Sequence, residues 1–149
     1  ATNTDAIAKI FKIKKREDSK ALISLVANKQ QLKAITKTIP NLDITSSPTT
    51  IIYQNVTGLS QNVLSENGSA AIRIVKDKFC QKLILSFGKA IVSTSANISG
   101  EMAPKQFSEI LKEIKNNVDY IVNLRQNELL STHSAIILIN EDNSVTKIR

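Results

Sequence analysis

Ser93-Thr94-Ser95-Ala96-Asn97-Ile98-Ser99-Gly100, set directly after the apolar run Ala90-Ile91-Val92, is the stretch on which the reading of the fold turns. Three apolar residues read as a buried strand. The eight that follow carry hydroxyls, an amide and a glycine, and end that strand in a polar loop. Just upstream, Asp77 can cap a helix from Lys78 to Phe87 that Gly88 closes. Helix, strand and polar loop in that order make a unit of an α/β sheet. Hydroxyls and an amide at the C-terminal end of a strand can hydrogen-bond phosphate or carboxylate oxygens, and ligands of open α/β sheets settle in such crevices. The same residues also make an ordinary Ser/Asn turn. Composition leaves both readings standing.

Working outward, helical and strand patterns alternate. Thr4 reads as an N-cap, with Ala6, Ile7, Ile10 and Phe11 at helical spacing to about Lys15. Ala21 to Val26 is a short apolar run, read as a buried strand. Lys29 to about Thr36 looks helical and stops before Pro40. Thr49 to Tyr53 is β-branched and reads as a strand, as does Ala70 to Val75. Ser108 to Lys115 is predicted helical, and Tyr120-Ile121-Val122 a strand. Ala135 to Ile139 and Ser144 to Ile148 are strands joined through Asn140-Glu141-Asp142-Asn143 in a hairpin-like connection. Alternation together with hairpin signals predicts a mixed α/β sheet with helices packed on it.

The chain has 149 residues, suited to one domain over 1–149 that buries roughly 68–70% of its unfolded surface. Apolar residues make up 42% and charged residues 22%, as in soluble globular proteins. With four Phe, two Tyr and no Trp, the core must be built from Ile, Leu, Val and Ala. One cysteine, Cys80, and one histidine, His133, exclude a disulfide framework and all but exclude a Cys/His zinc site. Cys80 reads as a buried, inert thiol in a reducing compartment. No apolar run approaches the length of a membrane span, and no basic segment followed by an apolar one marks a leader. The cytoplasm is the expected compartment.

The net charge is +7. Lys9, Lys12, Lys14, Lys15, Arg16 and Lys20 fall within twelve residues. At a helix end, Arg16 offers a planar fork for phosphate or carboxylate and Lys14 a point charge. A solvated helix face is the other reading of the same cluster. No G-x-x-x-x-G-K-[ST] loop is present. Arg73 interrupts the apolar strand Ala70-Ala71-Ile72-Arg73-Ile74. Strand alternation explains it on an exposed face, and anion binding explains it on a face lining a cleft. His133 has no carboxylate pattern near it that would make it a general base. Any chemistry must rest on electrostatics and positioning.

Together these segments resemble the YrdC-like family. Ser93–Gly100 is similar to its S-T-S-A-N-x-S-G motif at every fixed position. Ala6 to Arg16 is similar to its A-I-x-K-I-x-x-x-K-x-R helix end, with Lys14 and Arg16 in the K-x-R positions. Lys20-Ala21-Leu22 stands at a polar–Pro/Gly–Leu position, and Arg73-Ile74 resembles a V-R-[IV] strand. The resemblance implies an open twisted mixed sheet with flanking helices around a basic cavity. It implies synthesis of L-threonylcarbamoyl-AMP from L-threonine, bicarbonate and ATP with Mg²⁺, releasing pyrophosphate. Other proteins then carry the threonylcarbamoyl group to tRNA, and some members bind tRNA or double-stranded RNA. Lys14 and Arg16 would be the catalytic pair, contacting ATP phosphates and the carbamoylated threonine. Lys20, Thr50, Ser93, Ser95, Asn97 and Arg149 would join them at the nucleotide. Arg73, Ser93 and Ser134 would hold threonine. No residue is assigned to a metal, and no membrane is implied.

Three departures qualify the resemblance. The opening P-T-[DE]-T-x-Y-G-L segment of the family has no counterpart, which makes the domain N-terminally incomplete relative to it. Ser46-Ser47-Pro48-Thr49-Thr50 replaces P-G-P-x-T, and Ala135 stands where the family has Thr. A non-catalytic RNA-binding module or a truncated pseudoenzyme is therefore the alternative expectation.

Overall fold

The computed structural model describes residues 1–16, 22–39, 48–130, 134–140 and 144–148. Six strands form one open mixed sheet: β1 (Ile23–Val26), β2 (Thr49–Tyr53), β3 (Ala70–Ile74), β4 (Ile91–Ser93), β5 (Ala135–Ile139) and β6 (Val145–Lys147). Their order across the sheet is β4-β1-β3-β2-β5-β6. The β1–β3 and β2–β5 pairs are parallel, and β1–β4, β2–β3 and β5–β6 are antiparallel. The helices are α1 (Thr4–Lys14), α2 (Lys29–Lys33), α3 (Lys78–Phe87) and α4 (Lys112–Asn116), with 3₁₀ turns at Gln61–Val63 and Phe107–Glu109.

Strand register sorts the side chains into two faces, because neighbours in register share a face and alternate residues change it. Val26, Ile51, Ile72 and Ile139 lie on one face, in the core with Leu32 of α2 and with Ile35 and Tyr53. Ile7 and Phe11 of α1 pack beside Leu22, Val63 and Val92. The other face holds Leu25 and Ile91, over which α3 lays Ile84. Beyond α3 that second face stays partly open, and it carries Arg73 and Thr50.

Local chemistry accounts for the helix ends. Asn3, not Thr4, caps α1: its side chain accepts from Ala6 N, and Thr4 is already helical. α1 closes with Lys15 at φ 48, where Arg16 N donates to Phe11 O and Lys15 N to Lys12 O, the paired bonds of a Schellman end. Asp77 caps α3 by accepting from Cys80 N, and Gly88 at φ 76 closes it, both as the sequence predicts. Cys80 is half-buried, not buried; burial pushes its thiol up, with Asp77 adding to the shift.

Other expectations are corrected. α2 ends at Lys33, three residues short of Thr36. The predicted helix over Ser108 to Lys115 is split, because Leu111 adopts an extended backbone (ψ 141) between the 3₁₀ turn and α4. Tyr120–Val122 forms no strand: it pairs with nothing in the sheet and its side chains are exposed. Among the described residues no helix is long and apolar enough to cross a membrane.

Candidate functional site

The loop that follows β4 is held from α1. Lys14 falls at i+7 from Ile7 and i+3 from Phe11, on the helix's buried stripe, and is only 4% exposed. Its ammonium donates to Ser95 O and Asn97 O, both at 2.6 Å, and its own carbonyl accepts from Ser99 N at 2.8 Å. Burial pulls its pKa below the ordinary lysine value, with the charge of Arg16 adding to the effect. Arg16 is half-buried just past the helix end, and burial lowers its pKa too. Asn97 is buried, and its amide donates to Ile98 O (3.0 Å) and Glu101 O (2.7 Å). Its Oδ1 is buried without a hydrogen-bond partner among the described residues.

A second cluster sits on the partly open face. Arg73 donates through Nε (2.9 Å) and Nη2 (2.7 Å) to Thr50 Oγ1, and through Nη2 to Ser134 Oγ at 2.5 Å. Thr50 and Ser134 are buried, 3.4 Å apart between hydroxyl oxygens. Register explains the meeting. Ile51 pairs with Ile72, which sets Thr50 beside Arg73, and Thr50 pairs with Ile136, two residues from Ser134 on the same face. The hydroxyls thus aim a guanidinium that strand alternation alone would send to solvent.

Register also relates the two clusters. Ser93 pairs with Ile23, whereas Arg73 pairs with Leu25, so both side chains share the face. Two strand spacings and two residues separate them, roughly 12 Å. Of the remaining expected residues, Ser93 is half-buried at the end of β4 and Ser95 is exposed at the loop's tip. Lys20, Arg149, Ser46, Ser47 and His133 lie outside the described residues.

Two cavities flank the loop and share Thr94, Ser95 and Ala96. One, of about 310 Å³, lies between α1, β4 and α4 and is lined by Ile10, Lys14, Val92 and Ile114. The other, of about 730 Å³, is walled by Phe107, Ile110 and Leu124, with Asp77 and Arg125 at its polar side. Arg73 lines neither cavity. Lys115 stands 4.6 Å over the Phe107 ring, and Arg125 Nη2 lies 2.8 Å from Asp77 Oδ2. Backbone N–H of Cys80, then Arg125, hold the Asp77 carboxyl below its usual range. Sequence reasoning reads Asp77 only as a cap and passes over Arg125. Its positive φ of 52 has no signature in Leu124-Arg125-Gln126.

The Sua5/YciO/YrdC family model, described as telomere recombination, matches residues 1–149. The putative threonylcarbamoyl-AMP synthase of Methanocaldococcus jannaschii is 31% identical over 160 aligned residues, spanning 100% of this chain and 71% of that protein. The structure of H234A/Y235A P. abyssi Sua5 superposes with a TM-score of 0.86 at 22% identity, over 100% of this chain. P. abyssi Sua5 complexed with L-threonine gives 0.82 at 20% identity, over 99% of this chain. In both, this chain spans 44% of the solved chain, and the likeness is one of fold.

Proposed function

The chain belongs to the Sua5/YciO/YrdC family, and from that premise we propose that it is an L-threonylcarbamoyladenylate synthase. Its substrates would be L-threonine, bicarbonate and ATP; its products, threonylcarbamoyl-AMP and pyrophosphate. The product would serve tRNA threonylcarbamoyladenosine modification, with other proteins of that process as partners. One observation carries the reading: Arg73, braced by the Thr50 and Ser134 hydroxyls, shares a sheet face with Ser93 at the mouth of the Lys14-anchored loop. A ligand with a carboxylate at one end and a phosphate at the other suits that separation.

In this reading the positive charge of the Arg73 guanidinium, aimed by the two hydroxyls, takes the threonine carboxylate. The threonine amine attacks CO₂ and loses a proton, or attacks bicarbonate with loss of water, to give a carbamate. A carbamate oxygen then attacks the α-phosphorus, and pyrophosphate leaves. Charge gathers on phosphoryl oxygens, so the protein's work is positioning and preorganised positive charge. Arg16, with Lys20 and Arg149 by motif, faces the phosphates. Lys14 acts through the loop it braces, which presents Ser93, Ser95 and Asn97 to the nucleotide. The apolar walls of the larger cavity beside Ser95 suit a base. Among the described residues no group of three His, Cys, Asp or Glu side chains converges to hold a metal. Mg²⁺ would arrive on the triphosphate.

A second reading rests on Lys9 and Lys12, exposed along α1. They suit phosphate contacts to tRNA or double-stranded RNA without catalysis. The deciding experiment follows pyrophosphate release with and without threonine and bicarbonate. Release that requires both supports the synthase. ATP binding with no threonine-dependent release, together with RNA retention, supports the binding module.

A further inference from the structure

We infer that the flank of α3 turned away from the sheet is a docking surface for an amphipathic helix of another protein, one whose apolar stripe is bordered by acidic residues. α3 buries Ile84 fully against β1 and half-buries Cys80. Phe79, Leu83 and Phe87 remain 39%, 45% and 59% exposed. At i, i+4 and i+8 they form one row along the helix flank, about 12 Å long by helical rise. Scattered apolar side chains are ordinary on a protein surface, whereas these three form one continuous apolar strip.

The shape of the row selects the occupant. Ridges at i±4 spacing interdigitate with those of another helix, whereas an added strand would need side chains at a period of two. A small molecule is poorly served, because neither cavity is lined by Phe79, Leu83 or Phe87. Charge selects the chemistry of the rim. Lys82 borders the row on the solvent side, and Lys78 and Lys89 stand at its ends, all exposed. The acids beside its N-terminal end, Asp77 and Glu128, both pair with Arg125, and Asp77 also accepts from Cys80 N. A second copy of the chain would bring the same lysines from a molecule of net charge +7. A helix rimmed with Asp and Glu meets complementary charge, and its association is steered by it.

The probe is a fluorescein-labelled 18-residue peptide with Leu at i, i+4, i+8 and i+11 and Glu on both borders, titrated with the 149-residue protein by anisotropy. Controls are the same peptide with Lys borders and a Glu peptide with scrambled spacing. The Glu peptide is expected to bind roughly tenfold or more tightly than either control, less so at high salt. Leu83→Ser/Phe87→Ser is expected to abolish the preference while leaving thermal unfolding unchanged, since both residues are exposed. Lys82→Glu should shift the preference toward the Lys-bordered peptide. Equal binding of the Glu and Lys peptides, or Glu-peptide binding that survives Leu83→Ser/Phe87→Ser, overturns the assignment. So does a concentration-dependent dimer in sedimentation that the same double substitution dissolves, because it would make a second copy the occupant.

Discussion

Removing the Lys14 ammonium while keeping its stem, as in Lys14→Met, separates two roles for this side chain. In the structure its Nζ donates to two carbonyls at 2.6 Å from a buried position. Hydrogen bonds to a charged partner contribute roughly 1.5–3 kcal/mol each, so two amount to about 3–6 kcal/mol gross. Two effects reduce that sum. Relieving a buried ammonium is favourable, and water can replace it at the carbonyl of exposed Ser95, though less readily at buried Asn97. A net loss of about 2–3 kcal/mol is expected, a large share of the roughly 5–15 kcal/mol typical of domain stability. Urea denaturation reads it as a lower midpoint at unchanged slope. At about 2–4 °C per kcal/mol for a domain of this size, the melting temperature should fall by about 4–12 °C. ATP affinity, by calorimetry on the folded variant, should fall as well, because the loop is no longer held. Stability within about 0.5 kcal/mol of the parent would refute the bracing role. If ATP affinity then vanished with stability intact, Lys14 would be a direct phosphate ligand instead.

Four further expectations follow from the same geometry. Arg73→Lys keeps the charge but loses the fork to Thr50 and Ser134; threonine affinity should drop by roughly tenfold or more with ATP affinity less affected, by calorimetry. Asn97→Ala removes both amide bonds inside the loop and should lower stability by about 1–2 kcal/mol in urea, so ligand loss and destabilisation should appear together. The Asp77 carboxyl is held below its ordinary range, so the folded state binds its proton less tightly than the unfolded chain. The stability it supplies is present above the ordinary carboxylate pKa, about 3.9, and is lost as pH falls through that value toward the folded one; Asp77→Asn should flatten this acid limb in thermal scans. Burial raises Tyr53 to about 12; the folded state keeps a proton the unfolded chain releases, so stability should fall as pH rises from about 10, and Tyr53→Phe should remove that loss.

Much of the fold is legible where local chemistry decides it. Asp77 and Gly88 bracket α3 because a cap and a left-handed closing residue are single-residue requirements. The mixed sheet follows from β-branched runs interleaved with helical ones. Tyr120–Val122 fails because a strand exists only when a partner's backbone is alongside, and no property of three apolar residues announces that partner. Ser108–Lys115 fails because Leu111 has no feature that forbids a helix. At the site, the motif residues are legible but their roles are less so. Lys14 follows Ile7 and Phe11 on the apolar stripe, a spacing that already assigns it to the buried side of α1. Its acceptors are backbone carbonyls, which no side-chain identity encodes. The convergence of Arg73, Thr50 and Ser134 depends on strand order, which short-range patterns do not contain.

The Arg73 cluster joins residues that lie far apart along the chain, Arg73 from Thr50 by 23 residues, from Ser134 by 61, and Thr50 from Ser134 by 84. The last link requires the parallel β2–β5 pair, and closing a loop of that length precedes any reward from the pairing. During synthesis, β2 and β3 emerge well before the segment that carries Ser134. The bonds from Arg73 to Thr50 need only the β2–β3 pair, but the bond to Ser134 cannot form until β5 has emerged and docked. The full cluster of Arg73, Thr50 and Ser134 is thus complete only once β5 is in place.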